Sequence, residues 1–320
     1  MPIPFHNGEI TVQTRAGVRE EAEQIGKVIS DIIKPAAAEF LRTQQIAIAS
    51  TIAADGSVWA SLFTGSPGFV QALDKQTIQI TPFPIQNRST ERSRRSPSCA
   101  RSAPKVRPKI QNLENFQIGL LIIDLSNRRR LRLNGNITMQ QKEFLKIKIY
   151  QSFFNCPKYI QTRYLKTIKI SEPQSPEIQT RLVLDQTDQI WLSQADTFFI
   201  ASAHPDGGAD ASHRGGYPGF IQVVDSQTLL FSDYSGNNMF QTLGNLAVNP
   251  KAGLLFIDFE QGHTLQLTGQ ATILWDAEQL NAFAGAQRLI QFSLEQVLET
   301  RNATPLRWQF GEYSPANPRF

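Results

Sequence analysis

The densest cluster of chemically able side chains is Ser212-His213-Arg214, followed at once by Gly215-Gly216. An arginine offers a planar fork of donors matched to phosphate. Ser212 adds a hydroxyl and His213 two ring nitrogens, and the glycines let a ligand approach the backbone closely. Downstream, Ser235-Gly-Asn-Asn238 leads into a helix expected over 238–248. The unpaired amides of a helix start favour anions, so Asn238 and Gln241 mark a second anion-favouring position. Alone, an arginine beside Gly-Gly also reads as a turn with a solvated charge. A further group, Asn155-Cys156-Pro157-Lys158-Tyr159, places a thiol, an ammonium and a phenol side by side. It reads either as a lid or substrate contact, or as a helix start with Cys156 and Tyr159 packed against it.

Other chemistries lack their residues. The four histidines, His6, His204, His213 and His263, show no i+3 or i+4 pair and no cysteine pair beside them, so no metal site is expected. No strand–GxGxxG–helix fingerprint, P-loop or GxSxG elbow occurs. The two cysteines, Cys99 and Cys156, form no framework, which fits a reduced, cytoplasmic protein. The N-terminus has no signal-peptide pattern, and no apolar run approaches a membrane span.

The elements that must position these residues occur twice. Ala49-Ser50, Asp55-Gly56, Ala60-Ser61, Pro67-Gly68-Phe69, Gln71, Asp74 and Gln76-Thr77 return as Ala201-Ser202, Asp206-Gly207, Ala211-Ser212, Pro218-Gly219-Phe220, Gln222, Asp225 and Gln227-Thr228. Gly119-Leu-Leu-Ile-Ile-Asp124 returns as Gly253-Leu-Leu-Phe-Ile-Asp258, and Leu131–Gly135 as Leu265–Gly269. The chain therefore reads as a tandem duplication with about 17 extra residues in the first copy. Each copy is rich in short strands. In the second they are expected at 198–202, 209–214, 219–224, 228–232, 251–259 and 264–272, with a turn at Asp206-Gly207. Strands so spaced suggest a closed barrel. A helical stripe, Val18, Ile25, Ile29, Ile32 and Ile33, ends at Pro35, and a second helix is expected over 36–42. Another is expected to open at Asp276, with Gln279 as its capping-box partner. The expected organisation is a helical segment 1–40, a degenerate barrel 41–150, a linker 151–190 and a second barrel 191–320.

His213-Arg214 is specific to the second copy; the first has Leu62-Phe63. A packing role would be shared by both copies, so the second carries the ligand site. The net charge is +4, yet residues 88–109 alone carry eight basic residues and one acidic, which leaves the rest slightly acidic. A general nucleic-acid surface is thus disfavoured. Residues 86–115 are rich in Ser, Pro and Arg, and a solvated loop is the expectation for 86–112. An anion-binding arm over Arg88–Lys109 is the competing reading.

Ala211-Ser-His-Arg-Gly-Gly216, Pro218-Gly-Phe220, Phe231-Ser-Asp-Tyr-Ser-Gly-Asn237, Gln241-Thr-Leu-Gly-Asn245 and Gly253–Asp258 together resemble the pyridoxamine 5′-phosphate oxidase-related, FMN-binding split-barrel family. Asn155–Gln161, Phe5-His-Asn-Gly-Glu9 and the tail Glu312–Pro318 resemble one subgroup of it. The resemblance implies a mainly β protein of tandem split barrels with flanking helices and FMN between the barrels. It implies that Ser212, His213 and Arg214 hold the phosphate and ribityl chain, and that Ser232 and Asp233 face the flavin. Asn238 stands where the oxidases carry a basic phosphate ligand, an amide in place of a charge. Arg130 stands where a neighbouring barrel reaches the flavin, so that Arg129 or Arg130 would reach across to it, although Asn127–Arg130 also reads as a solvated turn. Trp308 either stacks on the flavin or covers a barrel end. The implied function is an FMN-dependent oxidoreductase acting on a small-molecule substrate, with NAD(P)H as candidate partner, in a homodimer or internal pseudo-dimer. The alternative is a non-catalytic binder or sensor of flavin, haem or deazaflavin. Oxidation of pyridoxamine phosphate itself is disfavoured, because no second basic cluster is evident for a phosphorylated substrate.

Overall fold

The computed structural model describes residues 4–81, 116–141, 143–167, 175–275 and 278–319. The expected loop 86–112, Cys99 and Asp276 lie outside the described residues.

Three helices open the chain: α1 (Asn7–Arg15), α2 (Arg19–Gly26) and α3 (Pro35–Thr43). α1 starts at a capping box, in which the His6 ring accepts from the Gly8 and Glu9 amides while Glu9 accepts from the His6 amide. The stripe expected to continue to Ile33 stops at Gly26. Beyond it β-branched residues crowd together, and Ser30 bridges to Ser152 instead. α3 starts on Pro35 itself, whose fixed φ and missing amide suit a first helical position.

The first sheet contains β1 (Ile46–Ile52), β2 (Val58–Thr64), β3 (Val70–Ala72), β4 (Thr77–Ile80), β5 (Gln117–Asp124), β6 (Arg129–Gln140) and β7 (Leu145–Asn155). Its order is β2-β1-β5-β6-β7-β4-β3, all antiparallel. After β8 (Arg163–Leu165), β9 (Glu177–Arg181) and α4 (Gln186–Gln194), the second sheet contains β10 (Thr197–His204), β11 (Gly208–Gly215), β12 (Ile221–Val223), β13 (Thr228–Asp233), β14 (Lys251–Ile257), β15 (Thr264–Leu274) and β16 (Arg288–Arg301). Its order, β11-β10-β14-β15-β16-β13-β12, repeats the first strand for strand. The fold is mainly β, with helices at its flanks, as the split-barrel reading expects. β7 and β16 lie beyond the strands read from the sequence. The first sheet ends at Asn155, past the expected boundary at 150, and β9 of the expected linker pairs with β16.

Among the described residues, one α-helix lies wholly within the second copy, α5 (Gln241–Val248). It starts three residues later than expected, because Asn238 and Phe240 both take left-handed backbone (φ 60° and 58°). The helix expected after Asp276 is a single 3-10 turn, Glu278–Ala282. β17 (Trp308–Phe310) pairs with β8, and the tail beyond it is held by Gln161, whose Oε1 accepts from the Ser314 amide and Asn317 Nδ2.

Each barrel has its own interior core, and a third core joins them. Ala47, Ala49, Leu120 and Ile122 point into the first barrel. Their neighbours Ile46, Ile48, Leu121 and Ile123 point the other way and meet Phe199, Ala201, Ala211 and Leu255 of the second copy. Strands buried on both faces read as unbroken apolar runs, which is why Gly119–Ile123 carries no alternation. Trp308 belongs to this third core, edge-on to Phe259. It covers the junction between the barrels.

The repeated glycine of Gly119-Leu-Leu and Gly253-Leu-Leu explains how closely the barrels approach. A Cβ on Gly119 would lie 2.5 Å from the Ala209 carbonyl oxygen and 2.6 Å from the Asp210 Cα. A Cβ on Gly253 would lie 2.6 Å from the Ala60 nitrogen. Both obstacles are backbone of the opposite copy and cannot swing away. Gly119→Ala is expected to cost about 1–3 kcal/mol, the usual range for overpacking, read as a lowered urea midpoint. A midpoint equal to the parent's would show that the barrels can separate freely.

Candidate functional site

A cavity opens where β6 of the first copy faces β11, β13 and the start of α5 of the second. All eight side chains expected at the cofactor site line it: Ser212, His213, Arg214, Ser232, Asp233, Asn238, Gln241 and Arg130. Cys156 and Tyr159 line it too. The Asn155–Tyr159 segment starts no helix; it leaves the end of β7 as irregular chain, with Tyr159 at φ 66° and its hydroxyl donating to the Ser235 carbonyl. The enclosed volume is about 100 Å³.

The first copy contributes two arginines. Arg130 Nε donates to the Cys156 carbonyl (3.0 Å), and Nη1 lies 3.4 Å from His213 Nδ1. Its neighbours in the expected turn behave otherwise. Arg129 is exposed over Phe40 and Phe154, and Arg128 bonds to the Ile160 carbonyl and Glu312. Arg132, not singled out in the sequence, reaches further. Its guanidinium donates to Ser212 Oγ (2.7 Å) and Gln241 Oε1, and its Nε lies 3.1 Å from Asp210 Oδ1, an ion pair without hydrogen-bond alignment. The available signal was strand periodicity: Arg130 and Arg132 are two apart and share a face.

A guanidinium only donates, so Nδ1 of His213 accepts from Arg130 and Nε2 carries the ring proton. That Nε2 is buried and has no protein partner. Burial, with Arg130 and Arg214 nearby, holds the ring well below its ordinary pKa and therefore neutral. Burial likewise lowers Arg130 to about 10 and lowers Arg132. The second copy's Arg214 has a buried, unpartnered Nε, a long contact, 3.7 Å, with Asp233, and a 3.5 Å hydrogen bond from Nη1 to the His213 carbonyl. Asp233 is held instead by Arg288 at 2.8 Å, which also lies over the Phe240 ring. The cavity is thus donor-rich: three guanidinium groups and an imidazole N–H face one carboxylate, Asp233, which is already held by Arg288. Such a site suits an anion with several acceptor oxygens.

The pseudo-symmetric position has lost these groups. Leu62 and Phe63 replace His213 and Arg214, and Phe63 is buried in the first barrel's core. Thr264 and Gln266 replace Arg130 and Arg132, and Gln266 Nε2 is used up on the Ala60 carbonyl (2.8 Å). Among the described residues, no group of three or more His, Cys, Asp or Glu could hold a metal ion. Among them, too, no helix is long and apolar enough to cross a membrane.

Behind Arg132 lies Glu9. Burial raises its carboxyl from 4.5 to about 8, so it is neutral at pH 7. A carboxyl with a raised folded pKa loses stability as pH climbs from its unfolded to its folded value. His6 is lowered to about 4, chiefly by burial, so it favours folding increasingly from pH 4 to 6.5 and is constant above. Glu9 is therefore unopposed by His6 between about pH 6.5 and 8. Relative to Glu9→Gln, the parent is expected to lose about 1–2 kcal/mol across that window in urea melts. Parallel curves for the two proteins would place the Glu9 titration elsewhere.

The two antiparallel sheets, of seven and eight strands, with this cavity at their junction, define a tandem split-barrel protein. Residues 184–304 match the family model described as pyridoxamine 5′-phosphate oxidase. Curated proteins give no match. Similar solved structures include HupZ from Group A Streptococcus (13% identity, 41% of this chain and 98% of that one, TM-score 0.30). Another is a pyridoxinephosphate oxidase-family protein from Clostridium acetobutylicum, related to general stress protein 26 of B. subtilis (14%, 40% and 96%, 0.28). A third is a FAD binding protein from Mycobacterium smegmatis (18%, 38% and 98%, 0.27).

Proposed function

We propose that the cavity binds flavin mononucleotide and that the chain is an FMN-dependent oxidoreductase, built as an internal pseudo-dimer with one flavin site per chain. The observation that carries this reading is the junction of Arg130 and Arg132 from one copy with Arg214 and His213 from the other, around unpartnered donors. A phosphate and a row of flavin carbonyls and nitrogens are what such donors match. The enclosed volume is smaller than a nucleotide, so binding uses the open side of the cavity as well.

In this reading Arg214 supplies the charge that Asn238 does not, and Ser212, Asn238 and Gln241 add hydrogen bonds. Asp233, fixed by Arg288, orients Arg214. Arg130 and Arg132 set a positive field that favours an anionic ligand. Bound FMN would supply hydride or single-electron transfer. The substrate is a small molecule, with NAD(P)H as electron donor. The test is the visible spectrum of protein purified without added cofactor, with the released ligand identified by mass. About one FMN per chain, bleached by NAD(P)H, supports the full reading. FMN that no nicotinamide or chemical substrate turns over leaves a flavin-binding module. A colourless protein that also ignores added FMN overturns both.

A further inference from the structure

A second cavity, about 230 Å³, lies on the other side of Arg132 and Gln241. It is walled by the start of α1 (Phe5, His6, Glu9), by Asn134 of β6 and Gln151 of β7, by Asp210 at the start of β11, and by Gln241 and Asn245 of α5. Its chemistry is the reverse of the first. Asn134 is 5% exposed and donates its Nδ2 to Gln151 Oε1 (2.9 Å), which leaves its Oδ1 buried without a partner. Asp210 is 2% exposed; one oxygen accepts from Thr242 (2.9 Å), and Oδ1 has ion-pair contact with Arg132 but no hydrogen bond. The Glu9 carboxyl, 3% exposed, lines the same space. The His6 and Gln241 donors on this wall are already engaged. The His6 ring lies between Asn245 Oδ1 (2.9 Å) and the Gly8 amide, and the Gln241 amide leans on Gln151. One unpartnered acceptor, Asn134 Oδ1, and two carboxyl groups, of which only Asp210 has a cation beside it, therefore belong to the lining of one cavity.

We propose that this cavity binds a small protonated amine, which donates hydrogen bonds to Asn134 Oδ1, Asp210 and Glu9. Buried acceptors without donors are costly, and a ligand carrying N–H groups removes that cost. An ammonium suits the site better than a neutral alcohol, because two carboxyl groups face it and Arg132 compensates only one. The charged and titratable groups around the cavity are His6 and Glu9 on α1, Arg132 on β6, Tyr150 on β7, His204 on β10 and Asp210 on β11. Glu9 changes protonation when the amine arrives. The incoming positive charge lowers its pKa from about 8, so the amine displaces the Glu9 proton to solvent. The inference does not depend on flavin, since Asn134, Asp210 and Glu9 do not line the first cavity; of the surrounding residues named here, Arg132 and Gln241 do.

The test is calorimetry of the purified full chain with propylammonium, propanol and propionate as near-isosteric probes, at pH 7 in two buffers of different ionisation enthalpy. The expected result is saturable binding of propylammonium with release of about one proton, and at least about tenfold weaker binding of the other two. Glu9→Gln keeps the helix cap and should bind without proton release. Asn134→Leu should weaken the amine about tenfold or more while leaving the flavin spectrum unchanged. No saturable amine binding, equal binding of propanol, or amine binding indifferent to both substitutions would overturn the proposal. If either variant melts far below the parent, Asn134→Asp is the substitute: it keeps the cavity's shape, adds a carboxylate, and should tighten the ammonium without tightening propanol.

Discussion

Arg132→Leu is expected to produce the largest loss of stability among single changes at this site. Its guanidinium is 7% exposed and its partner Asp210 3% exposed, so the pair is shielded from water. Removing one member of a buried pair strands the other, at a cost of about 3–5 kcal/mol. The loss also frees Ser212 Oγ and Gln241 Oε1, which both accept from Arg132. Because Arg132 belongs to the first copy and its partners to the second, the change acts on the junction between barrels. The check is a urea melt of Arg132→Leu, Asp210→Leu and the double variant. The double should be more stable than the sum of the singles implies, since it leaves no unpaired charge. Costs below about 1 kcal/mol for Arg132→Leu, or simple additivity, would mean that the pair carries no coupling.

Arg214→Ala is expected to have the largest effect on ligand binding and little on folding. The side chain is partly exposed, and its contact with Asp233 is long, 3.7 Å. Asp233 keeps Arg288 at 2.8 Å. Little native structure therefore depends on Arg214. A charge-assisted hydrogen bond is worth about 1.5–3 kcal/mol, so FMN affinity should fall roughly ten- to a hundredfold. Riboflavin, which lacks the phosphate, should bind parent and variant alike. Fluorescence titration with both ligands separates the cases. Equal losses for the two would place Arg214 against the ring, and no loss for either would remove it from the flavin site. Arg214→Lys should recover part of the affinity, since an ammonium keeps the charge and loses the fork.

Much of the fold was legible in the chain. The repeated motifs gave two equivalent units, and the structure shows two sheets with the same strand order. β7 and β16 were missed because they lie past the last shared motif. Within the expected helical segment 1–40, α1 was not singled out because its signal is a histidine cap, His6 with Glu9, rather than an apolar stripe. The start of α5 was misplaced because Phe240 adopts left-handed backbone, which its side chain alone gives no reason to expect. Tertiary packing under Arg288 holds it there.

The site divides the same way. Residue type alone marked Ser212, His213 and Arg214, because a run of donors beside two glycines is unusual on a strand. The comparison of the two copies marked His213-Arg214 as specific to one. Arg132 and the acceptor-lined cavity behind it were invisible at that level. An arginine in a strand is read as solvent-facing by default, since burying a guanidinium is costly. Here Asp210, Ser212 and Gln241, 78 to 109 residues away in sequence, offset that cost. Sequence by itself determined which side chains can hold an anion, because that is local chemistry. Only the tertiary structure decided that one barrel completes the other's site, because the partners of a buried charge are set by how the barrels pack.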